Sequence, residues 1–222
     1  MAAALLCGTR PHDKGLLQLV TQAKFLRILC VTDCSDLPET ELFIGLRNAG
    51  VEIEVMCNPA GRNYSRLRQP GAPILESAIK GQFDINGITR IRRQLRRKPY
   101  DILHSFDNRA LQNSVLASIG ISLTIVANRG FIGNVSFFNS VSWLTYLHPK
   151  VKRISCDANA IRDYFLSMRL FGLNISPQKV ITIYKGHNPG WYQVSLPTSL
   201  ILAFLRVPLW LDLPGETDQE RA

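Results

Sequence analysis

From Leu26 onward the chain alternates short apolar runs with amphipathic segments, and this alternation limits its fold more than any other feature. Strands are predicted at 26–31, 51–56, 74–79, 101–106, 121–127, 152–156 and 180–183. A first helix is predicted between a cap at Ser35 or Asp36 and a stop at Gly50, and later helices at 84–98, 108–119 and 158–171. Continuous apolar runs joined by helical crossovers are typical of buried parallel strands. The pattern predicts an α/β fold in which helices cover both faces of a mostly parallel sheet, that is, a doubly wound, Rossmann-like domain.

Two regions lie outside this alternation, so the predicted domain is 25–192. Residues 1–24 are expected to be a loosely attached leader. Residues 193–222 begin apolar and end acidic, and they contain no further strand–helix pair. Truncation, a frameshifted end and a natural partner-docking segment are three open interpretations of this tail. Its apolar run at 200–210 is too short for a spanning helix, although it could lie flat on a membrane.

Several classes of function are disfavoured by what the loops lack. The first strand-to-helix turn, 32–38, has no glycine, whereas a dinucleotide-binding turn needs glycines so that the backbone can approach a pyrophosphate. The chain has neither a P-loop nor a G-x-S-x-G elbow. Cys30 and Cys34 have no second ligand pair, so no metal and no cofactor are predicted. The five cysteines fit a reducing cytoplasm.

Candidate site residues follow the predicted strands. Asp33 is expected to face the crevice at the carboxyl edge of the sheet, with a turn or helix cap as the alternative. His104 ends a central strand, where it could act as a general base, line the crevice or be a structural residue. Arg129 can bind phosphate or carboxylate, and salt-bridge formation on a surface loop is its alternative.

The loops after the fifth and the last strand complete this set. Gly130 lets the loop backbone approach a ligand, and Asn134 lies in the same loop. Lys185 and Gly186 follow the strand at 180–183 after one residue, Tyr184. The predicted substrate-binding residues are Asp33, Arg129, Gly130, Asn134, Lys185 and Gly186, and the catalytic candidates are Arg129 and His104.

The chain carries a formal charge of +9, which favours anionic partners. Six basic residues concentrate on the helix at 84–98: Arg90, Arg92, Arg93, Arg96, Arg97 and Lys98. They are interpreted as the solvated face opposite Ile88, Ile91 and Leu95, with some attraction to an anionic membrane. Nucleic acid is disfavoured as a partner because no recognition motif or aromatic platform accompanies the helix.

Four segments together resemble the amino-terminal domain of a GT-B glycosyltransferase of family four, also called glycosyltransferase group one. They are 26–33 (LRILCVTD), 100–105 (YDILHS), 125–130 (IVANRG) and 179–189 (KVITIYKGHNP). The chain departs from the family in its first loop, which lacks glycine, and at Arg129, which stands where a histidine is common. Lys185 replaces the asparagine of an Asn-Gly turn. Forms like 129–134 and 184–188 are similar to a subgroup that builds cell-envelope polysaccharide or lipopolysaccharide.

The resemblance implies an acceptor-holding domain that faces a second, nucleotide-sugar-binding domain, with retention of anomeric configuration and no obligatory metal. That second domain is expected to be missing here, so the chain is expected to be incomplete for catalysis alone. The implied partners are a nucleotide-sugar donor, bound only with a second domain or chain, and a glycan or lipid-linked acceptor. A cytoplasmic location, peripheral at the inner membrane face, is expected. A non-enzymatic module that pairs with a donor-binding chain or binds an anionic surface is the alternative, and an unrelated nucleotide- or nucleic-acid-binding protein is a weaker one.

Overall fold

The computed structural model describes residues 26–68 and 73–192. The chain divides into two units, 1–186 and 187–222. The first contains the sheet and its helices. In the second, the described residues include one 3-10 turn, Pro189–Tyr192. The predicted leader 1–24, the tail 193–222 and the apolar run 200–210 lie outside the described residues.

One parallel sheet organises the first unit. Within the described ranges it has seven strands in the order β3-β2-β1-β4-β5-β6-β9, and every neighbouring pair is parallel. The strands are β1 (Arg27–Val31), β2 (Glu52–Cys57), β3 (Ile74–Glu76), β4 (Ile102–Ser105), β5 (Thr124–Arg129), β6 (Val151–Cys156) and β9 (Val180–Thr182). The chain order reverses direction between β1 and β4, which is the switch point where open α/β sheets bind ligands.

Helices connect these strands, and four of the six described α-helices begin at side-chain caps. They are α1 (Leu37–Asn48), α2 (Tyr64–Leu67), α3 (Ile85–Arg97), α4 (Asn108–Ala117), α5 (Ser140–Trp143) and α6 (Asn159–Ser167). Asp36, Asp84, Asp107 and Asn139 cap α1, α3, α4 and α5 by accepting a backbone N–H of the first turn. Asp36, one of the two predicted caps, therefore begins α1.

Both faces of the sheet carry a core, which confirms the doubly wound fold. Leu29 and Val31 on β1 join the larger core beneath α3 and α4. Cys30, between them in sequence, belongs to a smaller core with Phe43 of α1. Successive strand residues point to opposite faces, so this division shows helices on both sides. Among the described helices, none has the length and apolar character needed to cross a bilayer.

The prediction of a helix over 158–171 is wrong at its carboxyl end. α6 stops at Ser167, and Arg169–Leu170 (β7) pairs antiparallel with Leu173–Asn174 (β8). Phe171 and Gly172, the two turn residues, have φ of 45° and 82°. Positive φ at both central positions is the geometry of a type I′ turn, which joins two strands rather than ending a helix. The glycine signal was therefore a hairpin signal.

Smaller differences concern element ends. The third strand ends at Glu76 instead of 79, and the fifth begins at Thr124 instead of 121. β5 also extends through Arg129, which was placed in the following loop. Arg129 lies opposite Cys156 in the register of β5 with β6, so pairing with a neighbour extends the strand beyond its apolar run.

A candidate substrate cleft at the carboxyl ends of the strands

Residues that follow five strands converge on a cleft of about 430 Å³ at the carboxyl edge of the sheet. They come from the switch point between β1 and β4 and from the ends of β5, β6 and β9. The charged residues of its lining are Asp33, Glu39, Asp107, Arg109, Arg129, Asp157 and Lys185. Four of these seven are carboxylates, although the chain as a whole is basic.

Asp33 lies at the floor of the switch point and is held by its neighbours. Its backbone N–H donates to Asp107 Oδ2 at 2.8 Å, and its Oδ1 accepts from Asn58 Nδ2 at 3.2 Å. The guanidinium of Arg109 is 3.8 Å from its Oδ2. Asp107 also caps α4, accepting from the N–H of Ala110 at 2.8 Å. Burial raises the pKa of Asp107, so the cap holds a carboxylate that is poorly solvated.

Arg129 is 2% exposed and forms part of the wall of the cleft. Its Nε donates to the carbonyl of Phe131 at 2.9 Å, its Nη2 donates to the carbonyl of Gly133, and its Nη1 donates to Asn108 Oδ1 at 2.9 Å. Among the described residues no carboxylate lies within salt-bridge distance of this guanidinium. The salt-bridge alternative therefore has no support, and the charge is buried against neutral acceptors.

The loop after Arg129 is shaped by this guanidinium and by backbone geometry. A Cβ at Gly130 would lie 3.1 Å from Asp157 Oδ2, so a larger residue there would require this carboxylate to move by a few tenths of an ångström. Gly133 and Asn134 have φ of 96° and 59°, in the left-handed region. Asn134 faces an adjoining cavity of about 310 Å³, on which Arg129 and Tyr146 also border. The structure thus separates Asn134 from the main cleft.

Lys185 links the last strand of the sheet to the start of α1. Its Nζ lies 2.6 Å from Asp36 Oδ2, 2.9 Å from Glu39 Oε1 and 3.8 Å from Asp157 Oδ2. Burial disfavours the ammonium, but the hydrogen bonds to Asp36 and Glu39 outweigh it and raise the pKa of Lys185. Burial raises the pKa of both Glu39 and Asp157 despite the lysine. One ammonium therefore holds three carboxylates at the edge of the cleft.

His104 lies beside the main cleft, in the wall of a second and more apolar cavity of about 320 Å³. Its ring stacks on Phe106 with centroids 4.2 Å apart, and its buried Nε2 has no hydrogen-bond partner among the described residues. Burial lowers the pKa of His104 to about 4, so the imidazole is neutral at pH 7. Gly186 and Lys185 border the same cavity.

Several lining residues were not singled out from the sequence. Glu39, Asp107, Asn108, Tyr146 and Asp157 all contribute to the cleft. Asp107 and Asp157 could have been found, because each immediately follows a predicted strand and so lies at the same edge. Glu39 and Tyr146 come from a helix and a connecting segment, where no local pattern marks them as cleft residues.

Comparisons with solved structures support the fold. A glycosyltransferase from Rickettsia africae ESF-5 superposes with a TM-score of 0.56 at 18% identity, over 80% of this chain and 48% of that one. HepE from Anabaena, crystallised with UDP and glucose, gives 0.51 at 17% identity over 82% and 50%. The lipopolysaccharide outer core galactosyltransferase WaaB, in its apo form, gives 0.50 at 11% identity over 72% and 45%.

These likenesses define a class of fold. The chain spans about half the length of each of these structures. No protein-family model matches the chain, and no curated protein sequence does. At such identities the likeness concerns architecture: the chain has the Rossmann-like α/β fold found in GT-B glycosyltransferases.

Proposed function

We propose that residues 25–192 form the acceptor-side domain of a retaining, nucleotide-sugar-dependent glycosyltransferase of GT-B family four. The supporting observation is the polar cleft at the switch point of a sheet whose fold matches glycosyltransferases. Carboxylates and amides at the ends of parallel strands accept hydrogen bonds, and sugar hydroxyls supply the matching donors. Asp33, Asn128 and Asp157 are the side chains best placed for an acceptor glycan.

Arg129 is proposed to contribute a fixed positive charge rather than a flexible clamp. Its donors are already used by Phe131, Gly133 and Asn108, so binding requires no rearrangement of the guanidinium. A preorganised cation near a poorly solvated cleft stabilises the negative charge of a departing diphosphate. His104 is neutral and lies to one side, so its proposed role is a hydrogen bond to substrate. Gly130, Asn134, Lys185 and Gly186 are proposed to shape the binding surface around them.

Donor binding is proposed to come from a second domain or a second chain that faces residues 25–192. The support is that the similar structures are about twice as long as the stretch matched here. HepE was crystallised with UDP and glucose, so UDP-sugars are the first donors to test. The proposed pathway class is cell-envelope polysaccharide or lipopolysaccharide synthesis, with a glycan or lipid-linked acceptor. A cytoplasmic location at the inner membrane face follows from that proposal.

Acceptor binding can be tested on the full chain by saturation-transfer NMR with bacterial envelope oligosaccharides. We expect binding that D157N weakens about tenfold, as the loss of one charged hydrogen bond would. D163N is the matched control, because Asp163 is an exposed carboxylate on α6 outside the cleft. Equal weakening by the two variants, or no glycan binding at all, would contradict the acceptor-side role.

The need for a donor-binding domain or chain has a separate test. The full chain is incubated with UDP-, GDP- and ADP-sugars and the same oligosaccharides, and products are read by mass spectrometry. We expect no transfer, and turnover by the chain alone would show that it needs no donor-binding partner. The alternative, a non-enzymatic module that pairs with a donor-binding chain, also predicts no transfer by this chain alone. If a donor-binding chain recovered in a pull-down restores transfer when it is added back, the glycosyltransferase proposal is favoured.

A further inference from the structure

The solvent face of α3 carries four arginines that the fold does not use. Arg90, Arg93, Arg96 and Arg97 are exposed, and none forms an ion pair or side-chain hydrogen bond with any described residue. α3 itself contains no acidic residue. Four unpaired cations on one helix face produce a concentrated positive potential that surface ion pairs do not cancel.

The other two basic residues of the segment 84–98, Arg92 and Lys98, make contacts within the fold. Arg92 Nη1 donates to the carbonyls of Ala117 and Ile119 at 2.9 and 2.7 Å, so this guanidinium binds the carboxyl end of α4. Lys98 Nζ lies 2.8 Å from Glu52 Oε1 and 2.6 Å from Glu54 Oε1. These contacts fix α3 on the sheet and leave the four arginines facing outward. The apolar face is fixed as well, because Ile91 and Leu95 are buried.

Large apolar side chains flank the same face. Phe83 and Ile85, at the amino end of α3, are 57% and 77% exposed, and Ile119 is 56% exposed. Arg92 places Ile119 alongside α3 through its 2.7 Å bond. Ile85 is aligned with Arg96, because residues eleven positions apart are only about 20° apart around a helix. The face therefore combines cations with apolar groups.

We propose that this face, formed by Phe83, Ile85, Arg90, Arg93, Arg96, Arg97 and Ile119, docks on an anionic phospholipid bilayer. Arginines attract anionic head groups, and apolar side chains gain free energy by entering the acyl boundary. Nucleic acid would use the arginines but would leave Phe83 and Ile85 in water, so the bilayer explains more of the surface. Gln82, next to Phe83, lines the cavity that adjoins the cleft, so docking here would bring that cavity close to the head groups. This inference deepens the proposed peripheral location, and it can fail independently of sugar transfer.

The test is co-sedimentation of the full chain with phosphatidylcholine vesicles, with and without phosphatidylglycerol. We expect binding only to the anionic vesicles, lowered about tenfold or more by R90Q/R93Q/R96Q/R97Q. The matched control is R62Q/R68Q/K152Q/R153Q, which removes the same number of charges from exposed residues elsewhere. We expect this control to bind nearly as the wild type does. Circular dichroism of both variants reports that the fold is retained.

The apolar contribution is tested with F83S/I85S against F171S/L173S, a pair that is also exposed but lies on the β7–β8 hairpin. We expect a severalfold loss of vesicle binding for the first pair and none for the second. Three results would each overturn the proposal: no binding to anionic vesicles, equal losses in the two arginine variants, or vesicle binding indifferent to F83S/I85S. Salt-sensitive binding to random duplex DNA that exceeds vesicle binding would assign the face to nucleic acid instead.

Discussion

Replacing Lys185 with methionine should destabilise the protein by about 2–3 kcal/mol at pH 7. Removing one member of a buried ion pair typically costs 3–5 kcal/mol, because the other charge is left without compensation. Lys185 is 25% exposed, so water screens part of that loss. Glu39 is the carboxylate most affected, since it is buried and its pKa is already raised by that burial. In a chain of this size the loss corresponds to a fall in Tm of roughly 5–10 °C.

The double variant K185M/E39Q separates this electrostatic reasoning from simple loss of packing. Glutamine removes the charge at position 39 and keeps the shape, so we expect it to restore more than half of the stability lost in K185M. The deficit of K185M should also shrink as the pH falls through the carboxylate range. A raised carboxyl pKa means that the folded state binds protons more readily than the unfolded state, so protonation relieves the penalty. Urea unfolding followed by circular dichroism at pH 7 and pH 5 measures both effects. An unfolding free energy of K185M within about 0.5 kcal/mol of the wild type, or no rescue by E39Q, would refute the reasoning.

Three further outcomes follow from single side chains. R129K keeps the charge but loses the forked donor set that binds the loop, so we expect the free energy of unfolding to fall by about 3 kcal/mol and the amides of 130–134 to exchange hydrogen faster. Unchanged exchange protection in that loop would contradict its anchoring by Arg129. His104 has a pKa lowered to about 4, so its contribution to stability is complete above pH 6.5 and is lost as the pH falls toward 4. Between those pH values, the free energy of unfolding of H104F should fall by about 2–3 kcal/mol less than that of the wild type, as measured by urea unfolding. Equal falls in the two proteins would count against burial of the ring. F171G should raise stability by about 1 kcal/mol by thermal unfolding, because Phe171 is 96% exposed at a φ of 45°, whereas F138G, at an exposed residue outside the positive-φ region, should not.

The sheet was predictable because parallel strands are marked locally. Most of the strands contain runs of apolar residues, and the order of elements nearly determines the topology once crossovers are right-handed. The hairpin at 169–174 was missed because Gly172 satisfies two local patterns, a helix stop and a type I′ turn. Only the pairing of Arg169 with Asn174 decides between them, and pairing is not a property of either residue alone.

The cleft was predictable where position in the strand decides position in space. Asp33 and Lys185 were placed at the carboxyl edge by that reasoning, and they border the cleft. Glu39 was invisible because a glutamate near the start of a helix is ordinarily solvated and favours the helix dipole. Its burial depends on Lys185, which is 146 residues away in the sequence. The roles assigned to these side chains remain predictions.

The bond between Lys185 and Asp36 spans 149 residues, and this separation bears on how the protein is made. A ribosome delivers Asp36 and Glu39 long before the lysine that neutralises them. During synthesis the amino end of α1 therefore carries uncompensated carboxylates until nearly the whole domain has emerged from the exit tunnel. Contacts of such long range form late because closing the intervening chain is entropically expensive. This part of the rim of the cleft therefore cannot be completed before residue 185 has emerged, and a nascent chain halted before that point would expose it unfinished.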